Sequence, residues 1–371
     1  MLSGTSHDGI DLAVVEFSEE PGVLRARLGE HGSVPYSPGL RADLAAALPP
    51  GRPGFAEVCA LDVRIGQEFA AVAAGVGEEV DLVCSHGQTV FHWVEDGVVR
   101  GTLQLGQPAW TAEATGTPVV SDLRTADVAA GGQGAPLVPL LDRMLLQPFV
   151  DRGRTAAALN LGGIANVTVC DPDGSVRAWD TGPANALLDA AAGGMDRDGR
   201  LAAAGTVDEG LLEDLLAEPF YAQPPPKTTG KELFHPGYVA GRLHGRVLAQ
   251  ADLVATLTEL TVRTVAAALA GVEVVVASGG GVRNPVLLAG LRRELSGRVL
   301  LSDDLGCPAG EKEAIAFALL GYAFATGRPG NVPSCTGARG PRVLGRLTPG
   351  RRELPGPGSA TPWPSVLHLG A

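Results

Sequence analysis

The feature that most restricts the fold is an order of elements that occurs twice along the chain. In the second half, the strand AAALNL (156–161) meets a Gly-Gly turn, and a second strand, IANVTV (164–169), precedes helices. In the first half, a turn of small residues that begins at Gly4 leads into the strand IDLAVVEF (10–17), and helices again follow. Buried strands that alternate with helices are typical of sheets covered by helices. The sequence therefore predicts an α/β fold that arose by duplication.

The length of 371 residues suggests two domains rather than one. We predict an N-terminal domain at 1–140 and a C-terminal domain at 141–371, with the boundary somewhere between 130 and 155. Whether the last predicted helix, 311–326, crosses back to the first domain stays open. The segment 349–371 is rich in Pro, Gly and Ser and is predicted to be an extended tail.

Charge and composition exclude several classes of function. A net charge of -12 disfavours general binding to nucleic acid or to anionic membranes, because both are negative. No apolar run reaches the roughly 20 residues that span a bilayer, and the start MLSGTSHDGID lacks the features of a secretory signal. The five Cys include no CxxC pair, which is typical of reduced thiols. We expect a cytoplasmic protein with small-molecule ligands.

Two turns of small residues are candidate phosphate sites. The first is formed by Gly4, Thr5, Ser6, His7, Asp8, Gly9, Ile10 and Asp11, and the second by Asn160, Gly162 and Gly163. Glycine lets the backbone approach an anion closely, and hydroxyl groups add donors. Two such turns could grip a triphosphate from both sides, and Asp8 could hold Mg²⁺ directly or through water. The alternative is a plain β-turn for the first and a simple hairpin for the second.

A glycine triad that follows a buried strand is a candidate adenosine site. Gly279, Gly280 and Gly281 offer bare backbone on which a flat ring could lie, and Asn284 follows at the start of a helix. The chain contains neither the GxxxxGK[ST] pattern of a P-loop nor the GxGxxG pattern of a dinucleotide fold. A flexible glycine turn is the alternative.

Asp180 lies at a predicted strand end, directly before Gly182-Pro183 and a helix. A rigidly held carboxylate at such a place suits a general base. The alternative is that Asp180 caps the helix.

Two further loops follow short buried strands, where α/β proteins bind ligands. One is His86 to Thr89, and the other runs from Asp122 through Arg124 to the glycine-rich segment 131–136. Arg124 could fork onto a substrate carboxylate or form a structural ion pair. His86 and His92 have no further metal ligand nearby in sequence, so each is predicted to be a packed or capping histidine.

These segments, in this order, resemble the anhydro-N-acetylmuramic acid kinase family. The resemblance extends to about residue 338, and its most specific parts are AAGGQGAPLVP and DTGP, whereas the glycine triad is not specific. The matching segments are SGTSHDGID, SHGQTVFH, LQLGQPAWTAEATGTPVVSDLRTADVAAGGQGAPLVP, LNLGGIANVTV, WDTGPANALLD, PPPKTTGKELF, SGGGVRNPVLL, EKEAIAFALLGY and NVPSCTGA.

The resemblance implies a duplicated ribonuclease H-like fold of the actin/hexokinase type, with ATP in the cleft between the domains. It implies a kinase that uses ATP and Mg²⁺, opens 1,6-anhydro-N-acetylmuramic acid with water and phosphorylates O6, and that is often a homodimer. Residues 4–11 would match the phosphate segment and Asp180 the catalytic residue, while Thr89, Arg124 and Glu313 would hold the sugar. Two alternatives are a kinase of a related anhydrosugar such as levoglucosan and a non-catalytic, nucleotide-gated binding protein.

Three features depart from the family pattern. The family has a strand before the GTS turn, whereas this chain begins almost at the turn. DTGPGN reads DTGPAN here, and we expect Ala184 to lie inside the helix, where alanine is harmless. His7 occupies a variable position and has no assigned role.

Overall fold

The computed structural model describes residues 1–4, 7–48, 51–230, 233–354 and 362–370. The strands are, in chain order, β1 (Gly9–Glu20), β2 (Val23–Pro35), β3 (Val83–Cys84), β4 (Gln88–Glu95), β5 (Val98–Leu105), β6 (Val119–Ser121), β7 (Ala156–Leu161), β8 (Ile164–Cys170), β9 (Val176–Pro183), β10 (Val274–Ser278), β11 (Arg298–Leu301), β12 (Arg346–Thr348) and β13 (Val366–Gly370).

The helices separate these strands in the way that an α/β fold requires. They are α1 (Pro38–Ala47), α2 (Phe55–Gly75), α3 (Pro108–Thr115), α4 (Thr125–Ala129), α5 (Pro139–Val150), α6 (Asn185–Ala192), α7 (Arg200–Ala204), α8 (Glu209–Leu216), α9 (Pro219–Ala222), α10 (Pro236–Arg242), α11 (Gln250–Ala268), α12 (Pro285–Glu294), α13 (Lys312–Ala325) and α14 (Pro333–Thr336).

The chain divides into two compact units. The first comprises Met1–Leu145 together with Glu311–Ala371, and the second comprises Leu146–Gly310. The sequence analysis placed the division at 140/141 and left open whether the last helix crosses back to the first domain. The two divisions differ in the placement of residues 141–145 and 311–371.

The second unit contains a five-stranded sheet in the order β11-β10-β7-β8-β9. β8 runs antiparallel to both β7 and β9, whereas β10 runs parallel to both β7 and β11. This order, with these directions, is the ribonuclease H-like arrangement. β7 and β10 are buried almost throughout, which explains why each reads as a continuous apolar run rather than as an alternating pattern.

The first unit repeats the order, with two long strands, β1 and β2, and two short ones, β3 and β6. β2 pairs antiparallel with β1, and Leu2 forms an antiparallel bridge with Asp11 of β1. Ser3 then forms a parallel bridge with Gln88, the first residue of β4, and β3 is parallel to β6. Residues 2–3 thus hold the position that β7 holds in the second unit. The predicted duplicated α/β fold of the actin/hexokinase type is confirmed.

Helices α1 and α2 cover β1 in the first unit. Leu40, Leu44, Ile65 and Phe69 are at most 1% exposed, and they pack around Ile10 of β1. These residues come from one face of each helix, because positions three to four apart lie on the same side. The core they form fixes the position at which β1 begins.

Some local predictions need correction. Thr89, predicted in a loop, lies on strand β4, which forms a hairpin with β5. β9 does not end at Asp180 but continues to Pro183. The Pro-rich stretch 219–237, which reads as a loop in the sequence, contains α9 and the start of α10. Residues 366–370 of the predicted tail form β13, which pairs in parallel with β2.

Candidate active site

Asp180 lies on β9 in the second unit and is held by a neighbouring loop. Its backbone N–H donates to the Lys227 carbonyl at 3.0 Å, and its Oδ2 accepts a hydrogen bond from the Thr229 backbone N–H at 2.8 Å. Helix α6 begins five residues later, with Ala184 at its N-cap and no side-chain cap. The interpretation of Asp180 as a helix cap is therefore wrong. Ala184 lies just before the helix rather than inside it, which corrects the expectation, and its φ of -134° and ψ of -117° lie outside the regions that alanine usually occupies.

The loop that holds Asp180 is anchored by Lys227. The Lys227 ammonium donates to the carbonyls of Phe220 and Tyr221, each at 2.9 Å, and lies 4.7 Å from the centre of the Phe220 ring. Burial lowers the pKa of Lys227. The sequence analysis quoted this segment, PPPKTTGKELF, but gave it no role. A lysine and two threonines within a proline-rich stretch were the available signal.

The Gly162-Gly163 turn is attached to the start of α6. The Ala184 N–H donates to the Gly163 carbonyl and the Asn185 N–H donates to the Gly162 carbonyl, both at 3.0 Å. The Asn185 side chain also donates to the Leu161 carbonyl at 3.0 Å. These bonds satisfy N–H groups that the start of a helix otherwise leaves unpaired, so the turn is rigid.

The glycine triad lies against the same turn. The N–H of Gly279 donates to the Ala309 carbonyl at 3.0 Å, and its φ is +85°. A Cβ at Gly279 would lie 2.5 Å from the Asn160 Oδ1, and one at Gly281 would lie 2.7 Å from the Leu161 Cβ. The backbones can approach this closely because these positions have no side chain. The structure thus brings the second predicted phosphate turn and the predicted adenosine segment together.

Asn284 has a structural function that the sequence analysis did not assign. Its Oδ1 accepts hydrogen bonds from the N–H groups of Val286 and Leu287, at 3.0 and 3.2 Å, and so caps α12. Any contact of Asn284 with a nucleotide would involve its remaining atoms.

The first predicted phosphate turn is only partly described, since Thr5 and Ser6 lie outside the described residues. The N–H of His7 donates to the Gly4 carbonyl at 3.2 Å, and the φ of His7 is +56°. Ile10 is 1% exposed in the hydrophobic core, so its predicted contact with a phosphate stays a prediction for its backbone and not for its side chain.

Two carboxylates, those of Asp8 and Asp11, flank Gly9 at the start of β1. Asp8 is exposed, whereas Asp11 is half-buried, and burial raises the pKa of Asp11. The described residues contain no cluster of three or more side chains that could hold a metal ion by themselves. Mg²⁺ usually takes only one or two protein carboxylates together with phosphates and waters, and the exposed Asp8 is compatible with that.

Arg124 in the first unit is held by two acceptors. Its Nε donates to the His86 Nε2 at 2.8 Å, and its Nη1 donates to the Gly134 carbonyl at 2.7 Å. Burial lowers the pKa of Arg124, while the charges of Glu313 and Asp127 oppose that shift. Both hydrogen-bond acceptors of Arg124 are uncharged, so these contacts are not the structural ion pair that was the alternative.

His86 is buried, in agreement with the prediction of a packed histidine. Its ring lies 4.7 Å from the ring of Phe317, and its Nδ1 is 3.0 Å from the Gly87 carbonyl. Burial and the neighbouring Arg124 hold the pKa of His86 well below its usual range. The neutral imidazole therefore carries its proton on Nδ1, and Nε2 is the acceptor.

Asp127 is a buried residue that the sequence analysis missed. Its Oδ2 accepts from the Gly134 N–H at 2.8 Å, while its Oδ1 accepts from the Asn331 amide at 2.7 Å and the Thr336 hydroxyl at 2.8 Å. A Cβ at Gly132 would lie 2.2 Å from Oδ2. Asp127 thus joins the glycine-rich loop to the segment NVPSCT. The sequence signal for Asp127 was an acidic residue three positions after Arg124 and shortly before a glycine-rich segment.

The two other predicted sugar-binding residues also lie in the first unit. Thr89 accepts a hydrogen bond on its hydroxyl from the Gln104 amide at 3.1 Å. Glu313, in the first turn of α13, reaches solvent but has protein around it on most sides. Loss of hydration raises the pKa of Glu313, and the charge of Arg124 opposes the shift. The preceding residue, Lys312, forms a buried ion pair with Asp142 at 2.6 Å.

Comparisons with known proteins agree on one family. Residues 1–350 match the family described as anhydro-N-acetylmuramic acid kinase. A protein of that name from Streptomyces avermitilis is 55% identical over 370 residues, which cover 95% of this chain and 94% of that protein. Another from Rhodococcus erythropolis is 51% identical and covers 100% of this chain and 98% of its own length. A solved PilM–PilN type IV pilus biogenesis complex covers 85% of this chain and 92% of its own, at 15% identity and a TM-score of 0.37.

Proposed function

The chain belongs to the anhydro-N-acetylmuramic acid kinase family, and from this premise we propose how its residues carry out the reaction. The enzyme is a kinase of cell-wall recycling that uses ATP and acts on 1,6-anhydro-N-acetylmuramic acid. Water opens the anhydro ring, and the sugar is phosphorylated at O6 to give N-acetylmuramic acid 6-phosphate and ADP.

Asp180 is the general base. The observation that carries this assignment is the hydrogen bond from the Thr229 backbone N–H, which fixes one carboxylate oxygen on a rigid strand. A carboxylate held in this way takes a proton from the water that attacks the anomeric carbon. The position does not serve as a helix cap.

Ring opening and phosphoryl transfer are coupled through O6. As water attacks C1 and Asp180 takes its proton, the bond between C1 and O6 breaks and O6 develops negative charge. O6 then attacks the γ-phosphorus, and ADP leaves. The bond that breaks in the sugar therefore supplies the nucleophile for the phosphoryl group, so no second base is required.

The nucleotide contacts follow from backbone geometry. Gly162, Gly163 and the turn after Gly4 are proposed to face the phosphates with backbone N–H groups, and Gly279 to Gly281 are proposed to lie against the adenosine. Asp8 would hold Mg²⁺, which when bound supplies positive charge against the phosphoryl oxygens.

The sugar contacts are assigned to Thr89, Arg124 and Glu313. Arg124 is proposed to bind the lactyl carboxylate, because a charge-assisted hydrogen bond favours an acid over a neutral group. Among the described helices, none combines the length and apolar character that crossing a bilayer demands. We place the enzyme in the cytoplasm, where ATP is available, and retain the prediction of a homodimer.

Isotope labelling tests the reaction. The enzyme is incubated with ATP and the anhydrosugar in H₂¹⁸O, and the product is analysed promptly by mass spectrometry. We expect one ¹⁸O at C1 and none in the phosphate, because water attacks the sugar and not the phosphorus. Product made in ordinary water and then exposed to H₂¹⁸O controls for exchange at C1. Unlabelled sugar, or label in the phosphate alone, would contradict the proposal.

A further inference from the structure

The guanidinium group of Arg124 is held through two of its three nitrogens. Its Nε donates to His86 and its Nη1 donates to the Gly134 carbonyl. Among the described residues, Nη2 donates a hydrogen bond to none. The side chain is thus fixed in direction by two bonds while one nitrogen remains able to donate to a ligand.

The Gly134 peptide that holds Nη1 is itself fixed. Its N–H donates to the Asp127 Oδ2 at 2.8 Å, and its carbonyl accepts from Arg124 at 2.7 Å. Asp127 is fully buried and is held in turn by Asn331 and Thr336. The Gly134 carbonyl is therefore a fixed acceptor for Nη1. The orientation of the Arg124 guanidinium then depends on whether Nε also has an acceptor.

His86 is the partner at Nε, and its geometry admits one role. Its Nδ1 is committed to the Gly87 carbonyl, and its ring lies against Phe317. The remaining nitrogen, Nε2, can only accept a hydrogen bond, and Arg124 supplies it. If this acceptor were lost, a partly buried N–H would have no partner, and the guanidinium would turn to find another.

We propose that His86 is a positioning residue that aims the free Nη2 of Arg124 at the carboxylate of the substrate. This inference rests on the proposed function, in which Arg124 binds the lactyl group. Nε and Nη1 each already donate a hydrogen bond, so the carboxylate is assigned to Nη2, the nitrogen that donates to none of the described residues. His86 and Asp127 thereby set the preference for an acidic sugar without touching it.

A matched pair of substitutions isolates the acceptor. In His86→Gln the amide oxygen can take the place of Nε2, whereas in His86→Asn the side chain is one methylene shorter and does not reach Arg124. KM and kcat are measured for 1,6-anhydro-N-acetylmuramic acid, and the inhibition constant is measured for its lactyl amide, which keeps the shape but removes the charge. His31→Asn, on the exposed strand β2, is the control.

We expect His86→Asn to raise KM for the acid by roughly tenfold, since a hydrogen bond to a charged group is lost. Its kcat and its affinity for the amide should change much less, and His86→Gln should restore most of the preference for the acid. Equal losses for acid and amide, or no difference between Asn and Gln, would overturn the proposal. A wild-type enzyme that does not distinguish acid from amide would instead refute the assignment of Arg124.

If His86→Asn does not fold, His86→Phe replaces it. Phenylalanine keeps the ring beside Phe317 but has no acceptor, so the same loss of preference for the acid is expected. Retention of the wild-type preference in His86→Phe would overturn the proposal. Thermal denaturation of every variant establishes that a folded enzyme is compared in each assay.

Discussion

At the scale of single residues, the neutral His86 links the site to the stability of the protein. Its pKa lies well below the usual value in the folded state because of burial and the charge of Arg124. In the unfolded chain it is an ordinary histidine with a pKa of about 6.5. Below that pH the unfolded state binds a proton that the folded state does not, so stability is lost as the pH falls.

We predict that His86→Gln reduces this loss in acid. Each unit of pH below about 6.5 costs up to roughly 1.4 kcal/mol for one such proton. Between pH 6.5 and 5 the wild type should therefore lose up to about 2 kcal/mol more than His86→Gln. Urea denaturation at several pH values measures the difference, and His31→Asn should retain the wild-type slope. If the unfolding free energies of wild type and His86→Gln fell equally with pH, His86 would not titrate as described.

Gly279 gives a second prediction at this scale. Alanine there would combine a φ of +85° with a Cβ 2.5 Å from the Asn160 Oδ1. Gly271 has a φ of +82°, but a Cβ there would have nothing within 4 Å, so Gly271→Ala is the matched control. We expect Gly279→Ala to cost about 1–3 kcal/mol more than the control, because overpacking is added to backbone strain. Equal unfolding free energies for the two variants would contradict the close contact.

Residue identities alone could not show which groups are hydrogen-bonded to the candidate site residues. The sequence indicated Arg124 and Asp180 as chemically active, but their partners are far away in the chain. Thr229 is 49 positions from Asp180, and Asn331 is 204 positions from Asp127. Such pairs depend on tertiary packing, and neither local spacing nor composition contains that information.

At the scale of elements, three strands, β2, β4 and β5, were missed although their turns were visible. Asp96-Gly97 joins β4 and β5, and both residues have positive φ, as a two-residue hairpin turn requires. Pro21-Gly22 joins β1 and β2, and here only Gly22 has a positive φ, +77°, as in a type II turn. The strands themselves were obscured, since β4 exposes Phe91 and Trp93 and so lacks a clear polar face.

Helix α13 yields a prediction through the buried pair between Lys312 and Asp142. Both side chains are less than a tenth exposed, and their charged atoms are 2.6 Å apart. Lys312→Met would leave a buried carboxylate without this partner, which costs about 3–5 kcal/mol. Urea denaturation at pH 7 measures the loss.

An exposed pair on the same unit serves as the control. Arg351 and Glu113 are 62% and 81% exposed, so Arg351→Met should change stability by less than about 1 kcal/mol. The double variant Lys312→Met with Asp142→Leu should recover much of the stability, because neither charge remains. If Lys312→Met were as mild as Arg351→Met, the pair would not anchor α13.

At the scale of the whole molecule, the repeated order of elements was sufficient to predict the α/β duplication. The sheet order β11-β10-β7-β8-β9 and the corresponding order in the first unit are consistent with that repeat. The repeat did not show that residues 311–371 belong to the first unit. Those residues pack with the N-terminal part of the chain, which is distant in sequence. The ring of Tyr322 on α13, for example, lies 4.9 Å from the ring of Phe17 on β1.

The chemistry proposed for the whole enzyme depends on Asp180 as the base that starts both steps. Asp180→Asn keeps the shape and can still accept the hydrogen bond from Thr229, but an amide cannot take the proton of water. Asp173→Asn, in the exposed turn before β9, is the matched control and should behave as wild type.

The most direct test is the single-turnover rate of ring opening and of phosphoryl transfer in Asp180→Asn, with ATP affinity and melting temperature measured alongside. We predict that both rates fall together by at least about 10²–10⁴-fold, since that is the usual contribution of general-base catalysis, while ATP affinity and melting temperature stay close to wild type. A folded variant that turns over at a near-normal rate, or one that phosphorylates the sugar without opening its ring, would contradict the account.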